Sequence, residues 1–475
     1  MAELLTPDIC VIGAGSGGLS VVAAAAAFGV SAVLIEKGKM GGECLNAGCV
    51  PSKSLIEAAR AAHAIARARG FGIFVRGADV DFAKVSAHVH DVIAAIAPND
   101  SKERYRGLGV QVIEGAGRFH DAETVAVGDA VRIKARRFVI ATGSSPSLPP
   151  IAGLASTPHY TNETIFDLSM RPEHLVVIGA GAIGLELAQA YRRLGAAVTV
   201  LDMAQALARE DAECAAVVLD QLAREDIALR ENCEVLRTES SGAKVNVIVR
   251  GKGGEETIAG SHLLVATGRR ANTDGLGLEQ AGIRCDGRGI VVDRRLKTAN
   301  KRVYAIGDVA GGAQFTHLAN YHAGLVIRNA LFRWPARVDN SIVPRVTFTD
   351  PELAQIGLTE TEARERRLRF RVLRSAFCEN DRAQTARETR GHIKVITTAG
   401  GRILGVTIVG AAAGELIAPW CLAVAQKLNI RALAAVVLPY PTLAEVGKRA
   451  AIAYFIPGLR NKWVQRSIAL MRRLG

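Results

Sequence analysis

Asp8-Ile9-Cys10-Val11-Ile12-Gly13-Ala14-Gly15-Ser16-Gly17-Gly18 decides the fold of this 475-residue chain. Four apolar residues read as a short buried strand. The glycines behind them allow a tight turn, close approach of a pyrophosphate and close packing of the next helix on the sheet. That helix is expected from Leu19 to Phe28, ending near Gly29. A second strand, Ala32-Val33-Leu34-Ile35, ends in Glu36, placed to accept hydrogen bonds from an adenosine ribose. The glycine pattern alone is weak. With a strand before it, a helix after it and an acid at the right distance, Gly13, Gly15, Gly18 and Glu36 read as a dinucleotide site.

The pattern occurs again. Leu175-Val176-Val177-Ile178 leads into Gly179-Ala180-Gly181-Ala182-Ile183-Gly184, a helix, and then Ala197-Val198-Thr199-Val200-Leu201 ending in Asp202. Gly13 to Glu36 and Gly179 to Asp202 are the same 23-residue step, so the chain carries two comparable sites. Behind the first stands Gly41-Gly42-Glu43-Cys44-Leu45-Asn46-Ala47-Gly48-Cys49-Val50-Pro51-Ser52-Lys53. Leu55, Ile56, Ala59, His63 and Ile65 recur at roughly helical spacing after it, and Pro51 suits a first helical turn. A thiol at a helix N-terminus feels the positive end of the macrodipole, which favours thiolate, and Lys53 adds a fixed positive charge. A pair of reduced, buried thiols is the ordinary fate of two cysteines. Two dinucleotide sites around this pair point instead to electrons passing from one dinucleotide to another and on to sulfur.

With these motifs in this order the chain resembles the class I flavin-dependent pyridine-nucleotide disulfide oxidoreductases, the family of dihydrolipoamide dehydrogenase, glutathione reductase and mercuric reductase. The likeness runs from about Asp8 to Arg449. Ala141-Thr142-Gly143 and Ala266-Thr267-Gly268-Arg269-Arg270 resemble the family's two domain-crossing segments, and Val303-Tyr304-Ala305-Ile306-Gly307-Asp308 its second flavin motif. The resemblance implies an α/β fold of two Rossmann-like dinucleotide-binding domains, for FAD and NAD, plus a C-terminal α+β dimerisation domain. The FAD domain would be discontinuous, about 1–150 and 271–340, because Asp308 must return to the first fingerprint. The NAD(P) domain would be the insert, about 151–270, entered at Pro146, Pro149 and Pro150. The dimerisation domain would occupy about 341–475, with strands at Arg345–Phe348, His392–Ile396 and Ile403–Val409 and helices from Gly414 and after Thr442.

The resemblance also implies roles. Cys49 would lie against the flavin as the charge-transfer thiolate, and Cys44 would be the interchange thiol that attacks substrate. Lys53 and Glu186 match a family ion pair near the flavin. FAD contacts would come from Gly13, Gly15, Gly18, Glu36, Lys53, Gly117, Thr142, Gly143 and Asp308. Gln314-Phe315-Thr316-His317-Leu318 should open a helix whose positive end faces the flavin pyrimidine, with His317 part of that helix start. NAD contacts would come from Gly179, Gly181, Gly184, Asp202 and Gly268. No Arg or Lys follows Asp202 until Arg209, which favours NADH over NADPH.

One position departs from the pattern. Dihydrolipoamide dehydrogenase and glutathione reductase carry His-Pro-Thr-x-x-Glu near the C-terminus, and the His, from the partner subunit, is the acid–base group. This chain has Tyr440-Pro441-Thr442-Leu443-Ala444-Glu445. A phenol with a reference pKa of about 10 is a poor base at neutral pH. Mercuric reductase places Tyr here too, but also uses a C-terminal cysteine pair to hand metal inward. Here the last cysteine is Cys421, and no N-terminal metal-binding domain is expected. The reading is therefore an NADH-dependent, FAD-containing homodimer that reduces a disulfide or another small acceptor. Reduction of a thiol-bound metal ion, dihydrolipoamide dehydrogenase activity and a non-turnover redox sensor are the alternatives. No resident metal is expected.

Composition fits. The length allows about three domains. The apolar run Val21–Ala27 is too short for a bilayer and belongs to the first helix. No basic leader with a cleavage site precedes the first strand, so a cytoplasmic protein is expected. Cys10, Cys214, Cys233, Cys285, Cys378 and Cys421 are scattered and read as structural thiols of a reducing compartment. The formal charge of +13 comes without a nucleic-acid motif and suits anionic dinucleotides, so no nucleic-acid partner is expected. After Glu445 there are seven basic residues and no acidic one. Trp463, Val464, Ile468, Met471 and Leu474, with Arg466, Arg472 and Arg473 between them, make a weakly amphipathic stretch. It reads as a solvated or dimer-packed helix, with weak membrane-surface contact as the alternative.

Overall fold

A computed structural model describes residues 2–77, 79–242, 244–459 and 462–473. The chain forms two compact units: residues up to Gly179 with Ala190–Met203 and Asn232–Val338, and Ala180–Gln189 with Ala204–Glu231 and Asp339 onward.

The first unit is built on β1 (Ile9–Ile12), β2 (Ala32–Glu36), β3 (Gln111–Glu114), β4 (Arg137–Ile140), β5 (Ser144–Pro146), β6 (Arg269–Ala271) and β7 (Val303–Ala305). One five-stranded sheet runs β7-β4-β1-β2-β3, parallel throughout, with Ile9 opposite both Ala32 and Arg137. Ile9, Cys10 and Val11 are fully buried, as expected of a parallel strand covered on both faces. Helix α1 (Ser16–Ala27) begins three residues before the expected Leu19. Gly17 and Gly18 lie inside it because a Cβ on Gly18 would fall 1.9 Å from the Gly13 carbonyl oxygen, a clash only glycine avoids.

The second fingerprint repeats the backbone pattern of the first. Gly13 N–H donates to Ile35 O and Ala141 N–H to Ile12 O, each at 2.8 Å; Gly179 N–H donates to Leu201 O and Ala266 N–H to Ile178 O, again at 2.8 Å. His174–Ile178 lies between Ala197–Leu201 and His262–Val265, all parallel. An antiparallel meander, Glu234–Ser241, Lys244–Gly251 and Gly254–Gly260, covers this sheet through Val245, Val247 and Val249. β5 and β6 pair antiparallel, with Arg269 opposite Pro146 and Ala271 opposite Ser144.

The second unit carries a five-stranded antiparallel sheet in the order Arg345–Thr347, Glu352–Gly357, Ile403–Gly410, His392–Thr398 and Phe370–Ala376. Ile356, Phe377, Val395 and Trp420 form its core with Val446 and Ala450, from helix Glu445–Ala453. Lys394 is buried in this unit, its Nζ 2.7 Å from Glu360, 2.9 Å from Asp211 and 3.0 Å from Glu213. Burial opposes its charge, but those three carboxylates outweigh it and hold the ammonium above its ordinary range. Glu213, hydrogen-bonded first by Arg374 and then by Lys394, is pulled down to about 2. No helix of the described residues is long and apolar enough to cross a membrane. Leu474, part of the amphipathic stretch read from sequence, lies outside the described residues.

Candidate active site

The cysteine loop is seated on the first fingerprint. Gly41 N–H donates to Ala14 O at 3.0 Å, and Gly42 adopts φ +61° where a Cβ would meet Gly15 Cα at 2.7 Å. From there helix α2 (Gly42–Asn46) carries Cys44, and helix α3 (Cys49–Ala68) begins at Cys49 with Pro51 buried in its first turn. Asn46 ties the loop down through Nδ2 to the carbonyls of Met40 and Gly42. The two thiols are not joined by a disulfide and hydrogen-bond to each other. That bond first, and burial second, push the Cys44 thiol well above the ordinary range.

Cys49 Sγ lies 3.4 Å from Thr316 Oγ1. Thr316 is the first residue of helix α4 (Thr316–Ala330), as Cys49 is of α3, and no side chain caps either helix. Two helix N-termini therefore converge on one sulfur, and their positive ends favour negative charge there. The sequence placed a helix start within Gln314–Leu318 but gave Thr316 no role; the thiol contact crosses 267 residues. His317, next in the helix, stacks on Phe315 with ring centroids 5.1 Å apart.

A half-buried polar chain runs beside the thiols. Arg269 Nη1 donates to Glu43 at 2.8 Å, its Nε to Ser144 Oγ and its Nη2 to the Ser144 carbonyl, both at 2.8 Å. Ser144 Oγ donates to Asp308 at 2.6 Å, and Asn162 Nδ2 donates to Glu43 at 2.6 Å and to Ala47 O at 3.1 Å. Burial raises both carboxyls; Arg269 pulls Glu43 back down, and Ser144 with Arg269 does so for Asp308. Cys44's neighbour is thus linked rigidly to Asp308. Glu43, Asn162, Ser144 and Arg269 were not singled out from sequence as site residues.

The remaining sequence-derived positions have definite places. Glu36 accepts from Ala14 N–H at 2.6 Å and Gly38 N–H at 2.7 Å, which fixes its carboxylate at the mouth of the fingerprint. A Cβ on Gly15 would meet nothing within 4 Å, so the uncapped start of α1 faces open space, as a helix end that receives an anion must. Thr142 Oγ1 donates to Asn272 O at 2.7 Å, and Asn272 N–H donates to Gly143 O at 2.9 Å, locking the two crossing segments together. Gly117 opens the strand Gly117–Phe119, packed against Ile12 and Ile35. Gly307 N–H donates to His322 Nδ1 at 3.2 Å; burial lowers this histidine to about 4, so it stays neutral and supports the turn bearing Asp308. Asp202 accepts Cys233 N–H at its carbonyl, Gly268 is at φ +153°, and Lys53 donates to Ser52 Oγ at 3.4 Å.

Gly181, Gly184, Glu186, Tyr440 and Glu445 belong to the second unit. Glu186 is buried and accepts Phe348 N–H at 2.8 Å. Tyr440 is 71 % exposed, and its hydroxyl donates to Asp381 at 2.9 Å, a bond that holds the phenol above its ordinary range. Glu445 accepts weakly from Thr442 N–H at 3.4 Å. Of the cysteines read as structural, Cys10, Cys214 and Cys233 are buried, but Cys285 and Cys378 are exposed because they sit on a short surface hairpin and a surface turn.

Comparison with known proteins agrees with this geometry. The family model for pyridine nucleotide-disulphide oxidoreductases matches residues 7–323, and that for the family's dimerisation domain matches residues 343–451. The chain is 35 % identical to a mercuric reductase of Streptomyces lividans over 452 residues, covering 94 % of this chain and 95 % of that one. It is 34 % identical to a dihydrolipoyl dehydrogenase of Geobacillus stearothermophilus, with 94 % and 95 % covered. The Cu(II) complex of the HOCl-induced flavoprotein disulfide reductase RclA from Escherichia coli superposes with a TM-score of 0.83 at 27 % identity, covering 92 % of this chain and 98 % of that one. The chain belongs to the pyridine nucleotide-disulphide oxidoreductase family: it is an FAD-dependent, NAD(P)H-linked disulfide oxidoreductase with a dimerisation domain that makes it a homodimer.

Proposed function

We propose that this enzyme takes electrons from NADH, passes them to the Cys44–Cys49 disulfide and delivers them to a small disulfide or thiol-bound acceptor, and that it oxidises dihydrolipoamide poorly. The observation that carries the proposal is the Cys44–Cys49 pair with Cys49 at two helix N-termini. The residues fit FAD: Glu36 for the adenosine ribose, the open α1 N-terminus at Gly15 for the pyrophosphate, Asp308 for the ribityl chain and the α4 start for the ring. Bound there, FAD supplies two-electron transfer between the nicotinamide and the disulfide. A discontinuous FAD domain, 1–150 with 271–340, is supported by β7 joining the sheet of β1, and an NAD domain over 151–270 by the repeated backbone pattern around Gly179.

The protein's own part is thiol chemistry. One NADH and one proton convert the disulfide to two thiols and NAD⁺. Cys44, as thiolate, attacks an external disulfide, forms a mixed disulfide and expels one thiol. Cys49 then attacks Cys44 sulfur, expels the second thiol and restores the Cys44–Cys49 bond. The helix ends stabilise Cys49 as thiolate between these steps. By the family resemblance Lys53 is assigned to the flavin, and Tyr440 with Glu445 to the partner's cysteine pair.

Tyr440 decides the direction. Its hydroxyl already donates to Asp381, which holds the phenol above its ordinary range, so it is a worse base than a free phenol. A second reading, two-electron reduction of a thiol-bound metal ion, is favoured by this tyrosine and by the likeness to mercuric reductase. Steady-state NADH oxidation with a panel of disulfides, metal–thiol complexes and quinones tests the proposal. Turnover with a disulfide or metal–thiol complex that Cys44→Ser abolishes is the expected result. A stable reduced state with negligible turnover on every acceptor would make the protein a sensor and refute it.

A further inference from the structure

Helix α5 (Lys462–Met471) has no buried residue, and every residue from Lys462 to Arg473 is exposed. At roughly 100° per residue, Trp463, Val464, Ile468, Leu470 and Met471 share one arc of about 160°, broken only by Ser467. Lys462, Arg466, Arg472 and Arg473 fall in the opposite arc of about 120° with Gln465 and Ala469. Trp463 is 74 % exposed and Leu470 and Met471 each 61 %. Arg466 lies 5.6 Å from the Trp463 ring centroid.

We propose that this helix docks the protein on an anionic lipid surface, lying in the headgroup plane with its apolar arc inward. Three observations select that occupant over a second copy of the chain. The family's dimerisation match ends at residue 451, before the helix begins, so the shared dimer module does not account for it. No acidic residue follows Glu445, so the same segment of a second copy offers no counter-charge to the basic arc. Finally, a tryptophan and apolar residues opposite an arc whose charges are all basic match the interfacial zone of a bilayer, where rings sit among headgroups and long cationic side chains reach the phosphates. The inference does not depend on the identity of the electron acceptor.

Full-length FAD-loaded protein is sedimented with vesicles of phosphatidylcholine alone and of phosphatidylcholine with phosphatidylglycerol. Binding is expected to the anionic vesicles, to weaken with salt, and to shift Trp463 emission to shorter wavelength, a shift that Trp463→Ser removes. Each basic residue removed should cost about fivefold in affinity, so Arg466→Gln with Arg473→Gln should cost about 30-fold. FAD content and NADH oxidation of these variants serve as controls for folding. Equal binding to both vesicle types, no binding to either, or a lipid-free dimer that dissociates in the double variant would each overturn the proposal.

Discussion

Replacing Arg269 by Met tests the least visible part of the active site. The guanidinium is 9 % exposed and makes three hydrogen bonds of 2.8 Å, one to the Glu43 carboxylate and two to Ser144. Losing one partner of a buried ion pair typically costs about 3–5 kcal/mol, because the remaining charge is left uncompensated. Glu43 retains 32 % of its side-chain exposure, so water recovers part of this and about 3 kcal/mol is expected. The sign with pH follows. Burial already raises Glu43, and without Arg269 its folded-state value rises further above the unfolded one. A carboxyl shifted this way favours the folded state when protonated, so the variant's deficit should be small in acid and grow as pH rises through the folded value. Urea unfolding read by flavin release reports on the first unit, and midpoints at a shared slope give the difference. Glu43→Gln added to Arg269→Met should restore most of the loss, since a neutral amide needs no counter-charge. A deficit below about 1 kcal/mol, or a double variant as weak as the sum of the singles, would refute the ion-pair reasoning.

Four further outcomes are expected. NADH should be preferred over NADPH by at least about tenfold in kcat/KM, a difference of about 1.4 kcal/mol, because Asp202, at the end of the second fingerprint, is expected to repel a 2′-phosphate; equal use of NADPH would refute the assignment. Tyr440→His should raise NAD-dependent dihydrolipoamide oxidation, since a positioned base is worth about 10²–10⁴-fold; robust wild-type turnover would show that another group supplies the base. Mixing Cys44→Ser with Tyr440→Phe protein should restore activity above either parent, through hybrid dimers holding one intact site; no recovery on proven exchange would contradict a shared site. Glu213, held at about 2 against an ordinary 4.5, contributes stability that is present above about pH 4.5 and lost as pH falls toward 2. Glu213→Gln should flatten that acid limb, and an unchanged limb would mean that other carboxyls set it.

What was legible in the sequence is what repeats or is contiguous. The two fingerprints declared themselves by the same step from glycine to acid, and their backbone bonds match in the structure. Cys44, Cys49 and the helix behind them were readable because Pro51 and the apolar spacing lie within one short stretch. Arg269 was not, because its partners stand 226 and 125 residues away and its own neighbourhood read only as a crossing segment. Asp381, which engages Tyr440 across 59 residues, carried no local signal either. Buried Lys394 sits in the strand His392–Thr398, where one lysine among apolar residues gives no hint of three carboxylates arriving from elsewhere. The meander at 234–260 escaped because its strands mix charge with valine and show no long apolar run.

The central claim is that electrons reach the Cys44–Cys49 pair. Anaerobic titration of the FAD-loaded dimer with dithionite tests it most directly, counting electrons taken up per flavin. About four are expected, two for FAD and two for the disulfide, falling to about two in Cys44→Ser. Uptake of only two electrons by the wild-type protein would mean that the thiols beside Thr316 form no working disulfide, and would contradict the account.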